Sequence, residues 1–349
     1  MVKQANRAMQ RSPDATTRIE TVEMHTGGEP VRIVTSGYPA IEGTTLLEKR
    51  RFAREHLDRF RALIMFEPRG HYDMYGVLPV QPDHPEADLA VLFIHNEGYS
   101  TMCGHATIAL GRYALDQGLI KPEGEIARLN LQCPCGLVRV KVALEDGRPG
   151  LVSFVSVPAF AFALDRDVEV PGLGAVTVDI GYGGAFYAFL PAARFGLDVR
   201  ASPTRELVEA ADRVTKAVQS QVTLDHPDSQ DLAFLYGTIL TDGRTGVTQD
   251  GPSANICVFA EREVDRSPTG SGVTARIALA VARDPALAAA EFTFESITGA
   301  RFTGRVAEAT TAGRFSAIRA EVAGRAYYTG RSVFTVEPDD PLAGGFLLK

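Results

Sequence analysis

A strand-rich α/β (α+β) fold built as two related halves is what this sequence predicts, and three observations carry the prediction. The chain has 349 residues, enough for about two domains at the usual ~150 residues each. Its 33 glycines punctuate many short Val/Ile/Phe-rich runs, the mark of strands joined by tight turns. One strand–loop–helix pattern occurs twice, about half the chain apart.

Taken in order, residues 18–35 and 62–66 read as strands, with a helix over 46–61 between them. Residues 89–95 form a buried strand that ends in the polar turn 96–101. An apolar helix then runs from Gly104 to about Gln117. Strands follow over 127–158 and 175–191, a helix over 203–220, and strands again at 231–241 and 254–261. A second apolar helix spans Gly270 to about Ala282, and the tail from 290 to 337 alternates like strands.

Charge and composition exclude several function classes. The net charge is −7 and the pI is about 5.6, which disfavours nucleic acid, whose binding needs a basic footprint. The basic stretch Lys49–Arg61 is interleaved with Glu55, Asp58 and apolar residues, so it reads as a surface helix with a solvated face. No apolar run reaches the ~18 residues of a membrane span. Residues 1–17 are polar and lack a signal-peptide core; their basic bias fits a transit peptide, but a disordered terminus is the preferred reading. Four cysteines make no disulfide framework, which points to a reducing, cytoplasmic setting with free thiols.

The repeated pattern is where chemistry concentrates. In the first half the strand VLFIH and a polar loop lead to Cys103-Gly104-His105 at a helix start. In the second half the strand ICVFA and a polar loop lead to Thr269-Gly270-Ser271 at another. A helix N-terminus leaves backbone N–H groups without partners and carries about half a positive charge. Two of them aimed at one cleft form a carboxylate receptor made of backbone, and glycine lets a ligand approach closely. A cysteine there is expected to have a lowered pKa and to be partly thiolate near neutral pH. Cys103 therefore reads as a general base for a carbon acid, with Gly104 and His105 in the carboxylate pocket. The competing reading, a small buried residue that fills space, is weakened by the glycine, the histidine and the second copy.

The other cysteines compete poorly. Cys257 sits in the apolar run NICVFA and reads as core. Cys133 and Cys135 form Cys-Pro-Cys, but no further Cys or His pair completes a metal set. The Gly-rich stretch at 180–186 is not GxGxxG and precedes strand-like residues, which argues against a dinucleotide loop. No metal and no cofactor are expected.

The segments MHTGGEPVRIV (24–34), MCGHATIALGRYAL (102–115), DIGYGGAFYAFL (179–190) and DRSPTGSG (265–272) resemble the proline racemase family, in the family's order and over most of the chain. The resemblance implies two pseudo-symmetric domains like those of diaminopimelate epimerase, each with strands wrapped round a central helix. On that pattern residues 18–185 with 338–349 make the first domain and 186–337 the second. It further implies a cofactor-free site in the interdomain cleft, a small imino acid as substrate, and commonly a homodimer. Cys103 matches the family's first catalytic cysteine, Gly104 and His105 match substrate-holding residues, and Asp265 matches the acid that pairs with the ring ammonium. Gly270 and Ser271 match the second helix start, where many relatives carry Gly-Thr.

The departure is Thr269, where racemases and 2-epimerases of the family place a second cysteine. A hydroxyl is too weak an acid to act as the matched proton donor on the opposite face. The Cys/Thr pair instead looks like the branch that dehydrates trans-3-hydroxy-L-proline, and the expected activity is that of a hydro-lyase. Two alternatives stand beside it: a proline racemase or 4-hydroxyproline 2-epimerase that uses Thr269 as an atypical second acid/base, and a non-catalytic amino-acid binding protein.

Overall fold

The computed structural model describes residues 17–337 and 339–348. The expected disordered segment 1–17 lies, all but Thr17, outside the described residues. Five α-helices occur among the described residues: α1 (Leu46–His56), α2 (Asp58–Met65), α3 (Gly104–Asp116), α4 (Thr204–Gln221) and α5 (Gly270–Arg283). Around them runs one continuous, mostly antiparallel sheet of nineteen strands.

Strand alternation and apolar helices explain the arrangement. Helix α3 is buried along most of its length and packs on the strands Arg18–Thr26, Ile126–Cys133, Gly136–Glu145, Arg148–Val155 and Ala326–Thr335. Helix α5 is likewise buried from Gly270 to Leu279 and packs on Ala159–Val170, Gly174–Tyr182, Arg301–Ala312 and Phe315–Gly324. A helix that is apolar nearly all round needs such a wrapping. The strands on each side alternate buried and exposed residues, as in Gly136–Glu145, so each sheet turns one face to its helix. Strand Phe315–Gly324 pairs with Arg148–Val155 and so joins the two wrapped helices through one sheet.

The expected division at 185/186 cuts across these pairings. Strands Ala159–Val170 and Gly174–Tyr182 precede it yet pack on α5. Strand Ala326–Thr335, placed by the sequence reading in the second half, pairs with Arg18–Thr26 and touches α3. The division falls in the Gly-rich stretch after Ile180. A Cβ on Gly183 would lie 2.2 Å from the Ser271 carbonyl oxygen, so this stretch is a packing surface for the first turn of α5.

Other local expectations are also revised. The helix expected over 46–61 breaks at Leu57, and 62–66, expected as a strand, completes α2. The run Ala62–Met65 is buried throughout, and a short run buried on all sides carries no period to separate helix from strand. Strands Gly76–Val80 and Ala159–Val170 were not anticipated. The basic stretch is only partly a solvated face: Arg50 and Arg61 are buried. Arg50 bonds the Tyr99 carbonyl, and Arg61 bonds the carbonyls of His95 and Asn96 at 2.6 and 2.7 Å. These two guanidinium groups therefore pin the loop that leads into Cys103. No helix among the described residues is long and apolar enough to cross a membrane.

Candidate active site

Helices α3 and α5 meet start to start. A Cβ on Gly104 would stand 2.5 Å from the Cα of Gly270, and one on Gly270 would stand 2.7 Å from the Cα of Gly104. No side chain fits at that separation, so the shared glycine is first a condition for bringing two helix N-termini to one point. Around that point Cys103, Gly104, His105, Asp265, Thr269, Gly270 and Ser271 line one small cavity. All seven residues singled out in the sequence are thus brought together. The cavity leaves about 10 Å³ for the centres of water-sized molecules, room for roughly one water.

The two helix starts are not equivalent. Cys103 is the N-cap of α3 in extended backbone (φ −144°), and its sulfur accepts from the Ala106 N–H at 3.3 Å. Thr269 stands at the N-cap of α5 with φ +67° and makes no capping bond. A β-branched residue in the left-handed region is strained, and such strain collects at functional sites. Its Oγ1 is buried without a hydrogen-bond partner. Ser271 is bonded, with Oγ 2.8 Å from the Tyr187 hydroxyl.

On the Cys103 side, Sγ lies 3.1 Å from His105 Nδ1, and that nitrogen lies 3.9 Å from Asp265 Oδ2. Asp265 is held in turn by the Ser267 N–H at 2.7 Å. A sulfur, an imidazole and a carboxylate therefore follow one another in a site closed to water.

Electrostatics revise one expectation. The helix start was expected to lower the Cys103 pKa. In the structure burial pushes the thiol well above its ordinary range, against the pull of the Ala106 N–H, and Asp265 and Glu29 push it further up. Desolvation of a charge in a dry site outweighs half a helix-dipole charge. Burial also lowers the proton affinity of His105, opposed by Asp265 and a hydrogen bond to Pro30. Both shifts favour the uncharged forms of the two groups. Only the thiolate removes a proton from carbon, so kcat/KM should rise with pH. Its acid limb should lie above the ~8.5 of an ordinary thiol, and the pH dependence of Cys103 alkylation should follow the same limb.

Several wall residues were not singled out in the sequence, although Met102 and Tyr187 lie within the family segments. Tyr75, Met102, Tyr187, Tyr236, Cys257 and Phe259 also line the cavity. Cys257 is as buried as its apolar run suggested, yet it stands on the wall and pairs across the sheet with Asp265. Glu29, within the segment 24–34, is buried next to Asp265, and burial followed by that neighbour raises its pKa well above the carboxylate range. All four cysteines are free. Among the described residues no group of three or more His, Cys, Asp or Glu side chains is placed to hold a metal.

Two apolar-wrapped helices that meet at glycines, with a thiol, an imidazole and a carboxylate at the junction, define a class of small-molecule enzyme site rather than a fold-only likeness. The chain belongs to the proline racemase family, whose profile, described as Proline racemase, matches residues 21–347. It is 57% identical to the Trans-L-3-hydroxyproline dehydratase of Xenopus tropicalis over 99% of both chains. It is also 57% identical to the Trans-3-hydroxy-L-proline dehydratase of Homo sapiens over 95% of each. Among solved structures, a hydroxyproline epimerase from Agrobacterium vitis with bound trans-4-hydroxy-L-proline matches with a TM-score of 0.89 at 26% identity, covering 95% of each chain.

Proposed function

We propose that this chain dehydrates trans-3-hydroxy-L-proline to Δ1-pyrroline-2-carboxylate, with Cys103 as the base that takes the α-proton. One observation carries the reading: of the two facing helix starts, one presents a sulfur and the other the hydroxyl of Thr269. The names borne by the full-length relatives support the same reaction.

The carboxylate sits at the N-termini of α3 and α5, where Gly104, His105, Gly270 and Ser271 offer backbone N–H groups. The ring ammonium faces Asp265. It offsets the negative charge that raises the Cys103 pKa, so binding itself favours the thiolate, with His105 Nδ1 as the near acceptor of the thiol proton. In this substrate the 3-hydroxyl lies trans to the carboxylate, hence on the ring face of the α-hydrogen. Cys103 takes that hydrogen and returns the proton to the departing hydroxyl, which leaves as water. The enamine then tautomerises to the product. One thiol suffices, and Thr269 positions the ring.

We further infer that no metal or organic cofactor takes part, that the only small partner is the imino acid, and that the protein works as a cytoplasmic homodimer. The free thiols fit a reducing compartment. The test is an NMR assay of purified, metal-free protein with trans-3-hydroxy-L-proline in D2O. Appearance of Δ1-pyrroline-2-carboxylate is expected; its absence, with Cα exchange on proline or 4-hydroxyproline, would move the chain to the epimerases.

The role given to Asp265 predicts two linked effects. Asp265→Asn should raise KM about 10–100-fold, because a charge-assisted bond to the ammonium is lost. Because Asp265 raises the Cys103 pKa, the same variant should move the acid limb of the pH profile downward.

A further inference from the structure

Three tyrosines line the cavity, and two of their hydroxyls are already engaged. Tyr187 is bonded to Ser271 Oγ at 2.8 Å. Tyr75 lies 2.8 Å from Ser100 Oγ, and Ser100 lies 3.3 Å from the Met102 carbonyl, to which it donates. A carbonyl only accepts, so the single Ser100 proton is used there and Tyr75 is the donor to Ser100. The Tyr236 hydroxyl is buried beside the Tyr75 hydroxyl, which interacts with it, but it makes no hydrogen bond of normal geometry.

Tyr236 does not reach that state by disorder. Its ring stacks on Phe259 at 5.1 Å and meets Tyr187 and His95 edge-on, each at 5.7 Å. Rings on three sides fix where the hydroxyl points. The group is close enough to Cys103 for a charge on that sulfur to act on it. A buried hydroxyl without a partner is unfavourable, and here packing holds one at the wall of a site that takes a polar ligand.

The ligand's polar groups can be assigned in turn. The carboxylate takes the two helix starts and the ammonium takes Asp265, which leaves the 3-hydroxyl on the ligand and, on the wall, the hydroxyls of Thr269 and Tyr236. Thr269 belongs to the helix start opposite Cys103, so a hydroxyl on the Cys103 face falls to Tyr236. We propose, building on the dehydratase reading, that Tyr236 is the specificity-determining donor to the 3-hydroxyl and holds that oxygen on the Cys103 side of the ring. As the Cα–H electron pair becomes the Cα–C3 π bond, the C3–O bond breaks and the oxygen keeps its pair. The proton that Cys103 took from Cα completes the water. Tyr236 keeps its own proton and stabilises the charge building on the leaving oxygen.

Tyr236→Phe retains the ring contacts and removes only the hydroxyl. With trans-3-hydroxy-L-proline, kcat/KM should fall about 10–100-fold. The affinity for L-proline, which has the ring, carboxylate and ammonium but no hydroxyl, should be unchanged. An unimpaired variant beside an active wild type overturns the role of Tyr236 and leaves the dehydratase reading standing. Parallel loss of L-proline affinity also overturns it, since Tyr236 would then only shape the pocket. A wild type that does not dehydrate the substrate removes the parent reading, and this role with it.

Discussion

Cys103→Ser should lower kcat for dehydration by about 10²–10⁴-fold, the usual contribution of a positioned general base, while the fold and its melting temperature stay essentially unchanged. The two halves of this expectation rest on different observations. The fold is spared because Cys103 is an N-cap whose side chain accepts from Ala106 N–H, and serine is among the best residues for that task. Turnover is lost because an alkoxide is not accessible in a site where burial already pushes a thiol well up. NMR turnover and a thermal melt on the same preparation read both. A variant with full rate would show that the base lies elsewhere, with His105 the first group to examine.

What was legible in the sequence was the local punctuation. A polar residue and a glycine before an apolar run located both helix starts, Gly104 and Gly270, at the residues where the helices begin. The long apolar runs located the wrapped helices themselves. Asp265 was found only through the family pattern, because a single aspartate in a short polar segment has no distinctive local signal.

What was not legible depends on the third dimension. Strands Leu235–Thr241 and Ser253–Phe259 are buried at every position, so alternation says nothing about which residues face the cavity. Tyr236 and Cys257 were hidden for that reason. The Cys103 pKa went the wrong way because the helix start is a local feature, whereas desolvation comes from residues as distant in the chain as Tyr75 and Phe259. Arg50 and Arg61 read as solvated because the carbonyls that hold them in place belong to another loop, although Arg61 also pairs with Asp58 on its own helix. The echo itself was legible, but not its asymmetry: an extended N-cap at Cys103 and a left-handed one at Thr269.

That asymmetry sets the second large prediction. Thr269→Cys should give the enzyme an activity the parent lacks: Cα deuteration of L-proline or trans-4-hydroxy-L-proline in D2O with inversion, at least about 10²-fold above the parent rate, as expected when one positioned acid/base is added. Residue 269 lines the cavity together with Cys103 from the opposing helix start, so a thiol there supplies the proton donor missing from the second face. The substitution is structurally mild. It removes a β-branch from a residue at φ +67°, where branching is least tolerated, and it breaks no hydrogen bond of normal geometry, although the Thr269 side chain interacts with the Cys257 thiol. Dehydration should persist within about tenfold, since the proposed reaction runs on the Cys103 face alone. NMR for exchange and chiral chromatography for inversion make the measurement. Exchange without inversion would mean that Cys103 alone performs it. No exchange at all would mean that residue 269 does not address Cα, and the Cys/Thr pattern would then mark the branch without explaining its chemistry.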